Sequence, residues 1–169
     1  MQAQNKINLP SASVSFSQAG FFLFEEDFVA AGVRCIPMIV RFKMDAAGIK
    51  LALAAWCKFT ISERKQLAIM PCEASVGVRA YHDFLNGLVV KYTGSVGTAL
   101  KFDASPLWAD LKNVPVALQQ KATEFNWVIT VNKWKRLTDL QRFALLKLFS
   151  PGHENKNFPK AMVEFGLAV

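Results

Sequence analysis

"NWVITVNKW", residues 126 to 134, decides between two fold classes. Val128, Ile129, Thr130 and Val131 are β-branched, stiff at χ1 and suited to an extended chain. A strand, however, needs a neighbour to take up its backbone N–H and C=O groups. No partner can be named for this one. The reading is therefore an all-α fold: one compact domain of about six to eight helices over residues 21–169, with room for one short strand near 127–131.

The flanking segments carry helix signals. Just downstream, Thr138 and Gln141 in "TDLQRFALLKL" fit a capping box, in which hydroxyl and side-chain carbonyl satisfy each other's backbone donors. Leu137, Leu140, Ala144 and Leu148 then form an apolar stripe. Thr60 and Glu63 in "TISERKQL" repeat the box. Between these two starts, Tyr81, Phe84, Leu85, Leu88 and Tyr92 share one side of a helix over about 76–92. Ser105 and Pro106 fit the N-cap and first position of a short helix, and a longer one is expected from about 114 to 126. Upstream, "EEDFVAAG" suggests a short helix with acids at its start and Gly32 after its end. "CIPMIVRFKMDAAG" suggests another, with Pro37 in its first turn and Gly48 beyond its last. Ile36, Ile39, Val40, Met44 and Ala47 lie along its stripe. "IKLAL", residues 49 to 53, alternates and suits an extended segment.

The totals bound the function. The chain has 169 residues, 52% hydrophobic, enough for one real core. No apolar run approaches the ~20 residues that cross a bilayer. The first twenty residues are polar, read as a flexible arm, and contain no continuous apolar segment; the expectation is a soluble, cytoplasmic protein. Cys35, Cys57 and Cys72 are too few and too widely spaced for a disulfide framework or a zinc site, and are expected as small apolar residues of the interior. The net charge of +7 is concentrated. Residues 34–65 hold seven Lys/Arg against Asp45 and Glu63, and residues 133–160 hold seven against Asp139 and Glu154. That excess favours an acidic partner.

No reaction centre emerges. The chain lacks a phosphate-binding glycine loop, a dinucleotide fingerprint and a nucleophile elbow. His82 reads as an ordinary, partly exposed helix histidine. His153-Glu154 is half of a zinc His-Glu-x-x-His motif, but Asn157 stands where the second histidine belongs, so no metal site is expected. Phe42, Trp56, Trp134 and Phe143 lie among basic residues, yet they fall in helical phase and read as core, which makes nucleic acid an unlikely partner. In "SPGHENKNFP", Pro151 and Gly152 end one helix, Asn157 caps the next, Phe158 and Pro159 occupy its first turn and Gly166 ends it. His153, Glu154, Asn155 and Lys156 are left unexplained by this local structure.

Three stretches, "FEEDFVAAGVRCIPMIVRFKMDAAGIKLAL", "ERKQLAIMPC" and "QRFALLKLFSPGHENKNFPKAMVEFGL", resemble the nitrate reductase associated proteins, a small bacterial family. The most distinctive elements are Arg34 to Pro37 and Pro151 to Phe158. The resemblance implies a non-catalytic accessory factor for assimilatory nitrate reductase, acting in assembly or molybdenum-cofactor insertion. Its partner would be nitrate reductase or another molybdoenzyme maturation protein. No catalytic residue, metal or cofactor is carried over. Within that role, His153, Glu154, Asn155 and Lys156 are the expected docking surface, with Arg34 and Arg142 adding charge towards an acidic partner or a pterin phosphate. The alternative is a helical protein binding a small anion or nucleic acid through its basic surface.

Overall fold

The structure is a computed structural model that describes residues 19–150 and 156–169. Among these residues it contains nine α-helices, short 3-10 turns and one two-stranded ribbon. The arm expected over 1–20 falls almost wholly outside that range. Its last two residues are packed: Ala19 is buried, and a Cβ on Gly20 would stand 3.3 Å from Ile39.

A 3-10 turn, Leu23–Glu25, leads into α1 (Glu26–Ala30). α2 (Met38–Ala47) follows, with Pro37 at the N-cap rather than inside the first turn. Gly48 ends α2 in the left-handed conformation, φ +68°, and donates back to Met44 and Asp45. The chain then forms β1 (Ile49–Lys50), paired antiparallel with β2 (Thr98–Ala99). Gly97 is required there, because a Cβ at that position would meet Ile49 Cδ1 at 2.5 Å. Between the strands lie α3 (Leu53–Trp56), α4 (Ile61–Ile69) and α5 (Ala74–Thr93). A second 3-10 turn, Leu107–Ala109, starts after Pro106, so Ser105 does not cap it. The last four helices are α6 (Val116–Thr123), α7 (Val131–Arg136), α8 (Asp139–Leu148) and α9 (Phe158–Glu164).

Both capping boxes form, with Thr60 accepting from Glu63 N and Thr138 from Gln141 N, each at 3.2 Å. The segment "NWVITVNKW" is not a strand. Asn126 turns the chain at φ +59° after α6, and Thr130 caps α7, accepting from Lys133 N at 3.3 Å. The Gln119 carboxamide stands in for the absent strand partner: its Oε1 accepts from Ile129 N at 3.1 Å, and its Nε2 donates to Trp127 O at 3.5 Å. Two of the backbone groups that argue for a sheet are thus met by one side chain, and Trp127 N donates instead to Ala122 O at 3.1 Å. Helix α7 and the four-residue α3 account for the helix count exceeding the expected range.

The interior divides into two apolar clusters, both built on α2. Met38 joins Leu118, Trp134, Phe143, Leu148 and Phe158 in one, with Phe42 packed against it. Val40, Met44 and Ala47 join Trp56, Leu67, Tyr81 and Leu85 in the other. The expected α2 stripe faces this second cluster; Met38 and Phe42, on the opposite face, serve the first. Phe42, 5.2 Å from both Trp108 and Phe143, is an edge-on link to the later helices.

Candidate partner-binding site

The expected docking residues differ in exposure. His153, Glu154 and Asn155 lie outside the described residues. Lys156 is exposed on the turn that enters α9, where Asn157 holds the N-cap position without a side-chain cap bond. Arg34 is also exposed. It follows Val33, whose φ of +54° is one that β-branched residues rarely adopt. Complete burial of the Val33 side chain and a 2.9 Å bond from Trp56 Nε1 to its carbonyl hold that conformation.

Arg142 is not a surface residue. It is 4% exposed, and its guanidinium donates to Trp108 O at 2.7 Å, to Leu137 O and to Asp139 Oδ1. It pins the Leu107–Ala109 turn to the α7–α8 junction, and its N–H groups face inward. Periodicity placed Arg142 on α8 but not on the face turned inward.

His82 is half-buried, its Nδ1 2.9 Å from Ala47 O. The cysteines depart from expectation: Cys57 is exposed, and Cys35 and Cys72 are half-buried. The Cys72 thiol is pushed up by burial, away from the thiolate form that reactive cysteines need. Lys43 is pushed down by burial and donates to Ala68 O (2.6 Å) and Met70 O (2.7 Å), closing the end of α4. Among the described residues, no three His, Cys, Asp or Glu side chains gather where a metal ion could be held.

A groove of about 620 Å³ runs beside α9. One wall is α9 itself, through Lys160, Val163 and Glu164; the other is the first 3-10 turn and α1, through Leu23, Glu26 and Asp27, with Phe24 and Trp127 at its base. Leu23 is 67% exposed and Val163 52%. Two carboxylates position the walls. Glu164 accepts from Leu23 N at 2.8 Å and from Phe24 N at 3.1 Å, so the last described helix caps the first turn. Glu25 accepts from Phe22 N at 3.0 Å and, across the loop, from Met38 N at 2.8 Å, supplying the cap that Pro37 cannot. Burial pushes the Glu25 carboxyl up to about 7, against the two amide bonds and the nearby Arg41 that favour its ionised form. Phe165 stacks edge-on to Phe22 at 4.9 Å and completes the packing behind the groove.

The sequence reading missed this groove. The signal available for it was the pairing of carboxylate and phenylalanine in "FEEDF" and "VEFG", 140 residues apart at the Phe24–Glu164 bond.

These features define an all-α protein with one small two-stranded ribbon and an open, partly apolar groove between its first and last described helices. It belongs to the family of conserved nitrate reductase-associated proteins, which residues 21–165 match. No curated protein and no solved structure matches the chain. The family's name ties it to nitrate reductase. Among the described residues, no helix is long and apolar enough to cross a membrane.

Proposed function

We propose that this chain is a non-catalytic accessory protein of assimilatory nitrate reductase, working in the cytoplasm through protein–protein contact. Its task is assembly of the enzyme or insertion of the molybdenum cofactor, and its partner is nitrate reductase or a protein that matures molybdoenzymes. One observation carries the reading. The family match runs from Phe21 to Phe165, so the association in the family's name belongs to the helical body from its first turn to its last helix.

The ionisable groups support a scaffold role. Glu25 holds two backbone amides, Glu63 completes a capping box and binds Lys91 at 2.8 Å, and Arg142 ties three elements together. Each is engaged in holding the fold. Lys156, with His153, Glu154 and Asn155 before it, forms the proposed docking surface, and Arg34 adds a further exposed cation. Arg142 is left out because it is buried.

The test is a pull-down with the tagged chain from nitrate-grown cells, read by mass spectrometry. Recovery of nitrate reductase or a molybdopterin-handling protein, lost with His153→Ala/Lys156→Ala, supports both role and surface. Retention by the double variant removes that surface. Recovery of neither protein overturns the function.

A further inference from the structure

The groove between α9 and the first turn has the opposite charge to the chain as a whole. Glu26, Asp27 and Glu164 stand on its walls against the single ammonium of Lys160, in a chain whose net charge is +7. Neither Glu26 nor Asp27 forms an ion pair among the described residues, and both are exposed. Beside them the groove offers Leu23 and Val163, whose side chains project into solvent. Exposed aliphatic residues on facing walls, flanked by unneutralised carboxylates, suit an occupant that buries an apolar side chain and brings its own cation.

We propose that this groove binds a peptide segment of a partner protein in which Lys or Arg flanks apolar side chains. The apolar side chains pack between Leu23 and Val163, above Phe24 and Trp127. The cation meets Glu26 and Asp27, which form no ion pair among the described residues and are both exposed. Glu164 is a positioning residue: its oxygens are taken by Leu23 N and Phe24 N, which hold the apolar wall at its distance from α9. Complementarity here differs in sign from that of the proposed docking surface at Lys156, which suits an acidic partner. The two surfaces therefore select different parts of a partner or different partners. This groove assignment does not depend on the nitrate reductase reading.

The experiment is an NMR titration of the full chain with an amphipathic Leu/Lys peptide and with its Leu/Glu counterpart. The expected result is a saturable shift of the Leu23, Phe24 and Val163 amides with the Leu/Lys peptide only, weakening as salt rises. Glu26→Lys/Asp27→Lys, at exposed positions that leave the core intact, should weaken binding roughly tenfold or more. Asp83→Lys/Asp103→Lys makes the same change in net charge elsewhere on the surface and should leave affinity within about twofold. Leu23→Ser should weaken binding several-fold without altering the fold. Three outcomes overturn the proposal: shifts centred away from the groove, equal binding of the Leu/Glu peptide, or equal weakening by both charge reversals. Because the titration contains no nitrate reductase, its failure removes the groove assignment alone, while the functional reading stands or falls on co-purification.

Discussion

Glu25 is 1% exposed and carries a carboxyl whose folded-state pKa lies near 7 against an ordinary value of 4.5. Below about pH 4.5 both folded and unfolded chains hold the proton, and the group's relative contribution to stability is fully present. Between 4.5 and about 7 the unfolded chain releases its proton while the folded chain keeps it, so stability falls as pH rises. Glu25→Gln removes this dependence. It costs about 1–2 kcal/mol under acid conditions, because the carboxamide can accept from only one of the two amides through its single oxygen. The difference then moves on the order of 3 kcal/mol in the variant's favour towards neutral pH, so the deficit closes and reverses. Urea unfolding of both proteins at mildly acidic and mildly alkaline pH checks it; parallel pH profiles would rule the linkage out. Arg142 gives the second prediction at this scale. Arg142→Ala should destabilise by about 3–5 kcal/mol, since it opens a buried site and leaves two carbonyls and Asp139 without their donor. Arg34→Ala, at an exposed site, should stay within ~0.5 kcal/mol. Thermal melts of the pair compare them directly. The residue types were plain in the sequence; their direction was not. An acid at the start of α1 reads as a helix-dipole partner, and nothing local says that Glu25 instead reaches Met38, thirteen residues on.

At the scale of elements, local chemistry was legible wherever a segment satisfies itself. The two Thr-led capping boxes close within four residues, and Gly48 completes α2 within its own last turn, so all three could be placed from sequence. Misreadings occur where satisfaction comes from another element. The β-branched run at 128–131 looks like a strand because its backbone needs partners, and a carboxamide on α6 supplies one to Ile129 N and another to Trp127 O just before it. Ser105 and Pro106 look like the start of a helix, but Pro106 keeps an extended ψ of 141° and the turn begins one residue later. The Gln119 contact makes a prediction. Gln119→Leu leaves Ile129 N without its acceptor and should cost about 1–3 kcal/mol, whereas Gln120→Leu, one residue on, should cost under ~0.5. Denaturant unfolding measures both, and hydrogen exchange at the Ile129 amide should rise in the first variant only.

Across the whole molecule, α2 is common to two interiors. A cluster that borrows one side of a helix cannot release that helix without exposing the cluster on its other side. The two halves should therefore unfold in one transition. Met38→Ala removes a side chain that belongs to the first cluster and should destabilise by about 2–5 kcal/mol. The consequence should be felt equally by α8 in the first cluster and α5 in the second. Native-state hydrogen exchange tests this: opening energies of the Leu145 and Leu85 amides should fall together, and a fall confined to Leu145 would show that the halves come apart. This sharing was half visible in the sequence. The stripe from Ile36 to Ala47 marked one buried face, and Met38 and Phe42 on the other were indistinguishable from apolar surface until the later helices were seen to cover them.

The bond between Glu164 and the Leu23 amide joins residues 141 positions apart. During synthesis the first turn leaves the ribosome long before α9 exists, at roughly 5–20 residues per second. Until α9 arrives, the Leu23 and Phe24 amides have no Glu164 to meet, and the groove has only one wall. A partner that recognises the closed groove would therefore be excluded from shorter nascent chains and admitted only once α9 has docked. The clasp makes the arrival of α9 legible on the protein's surface.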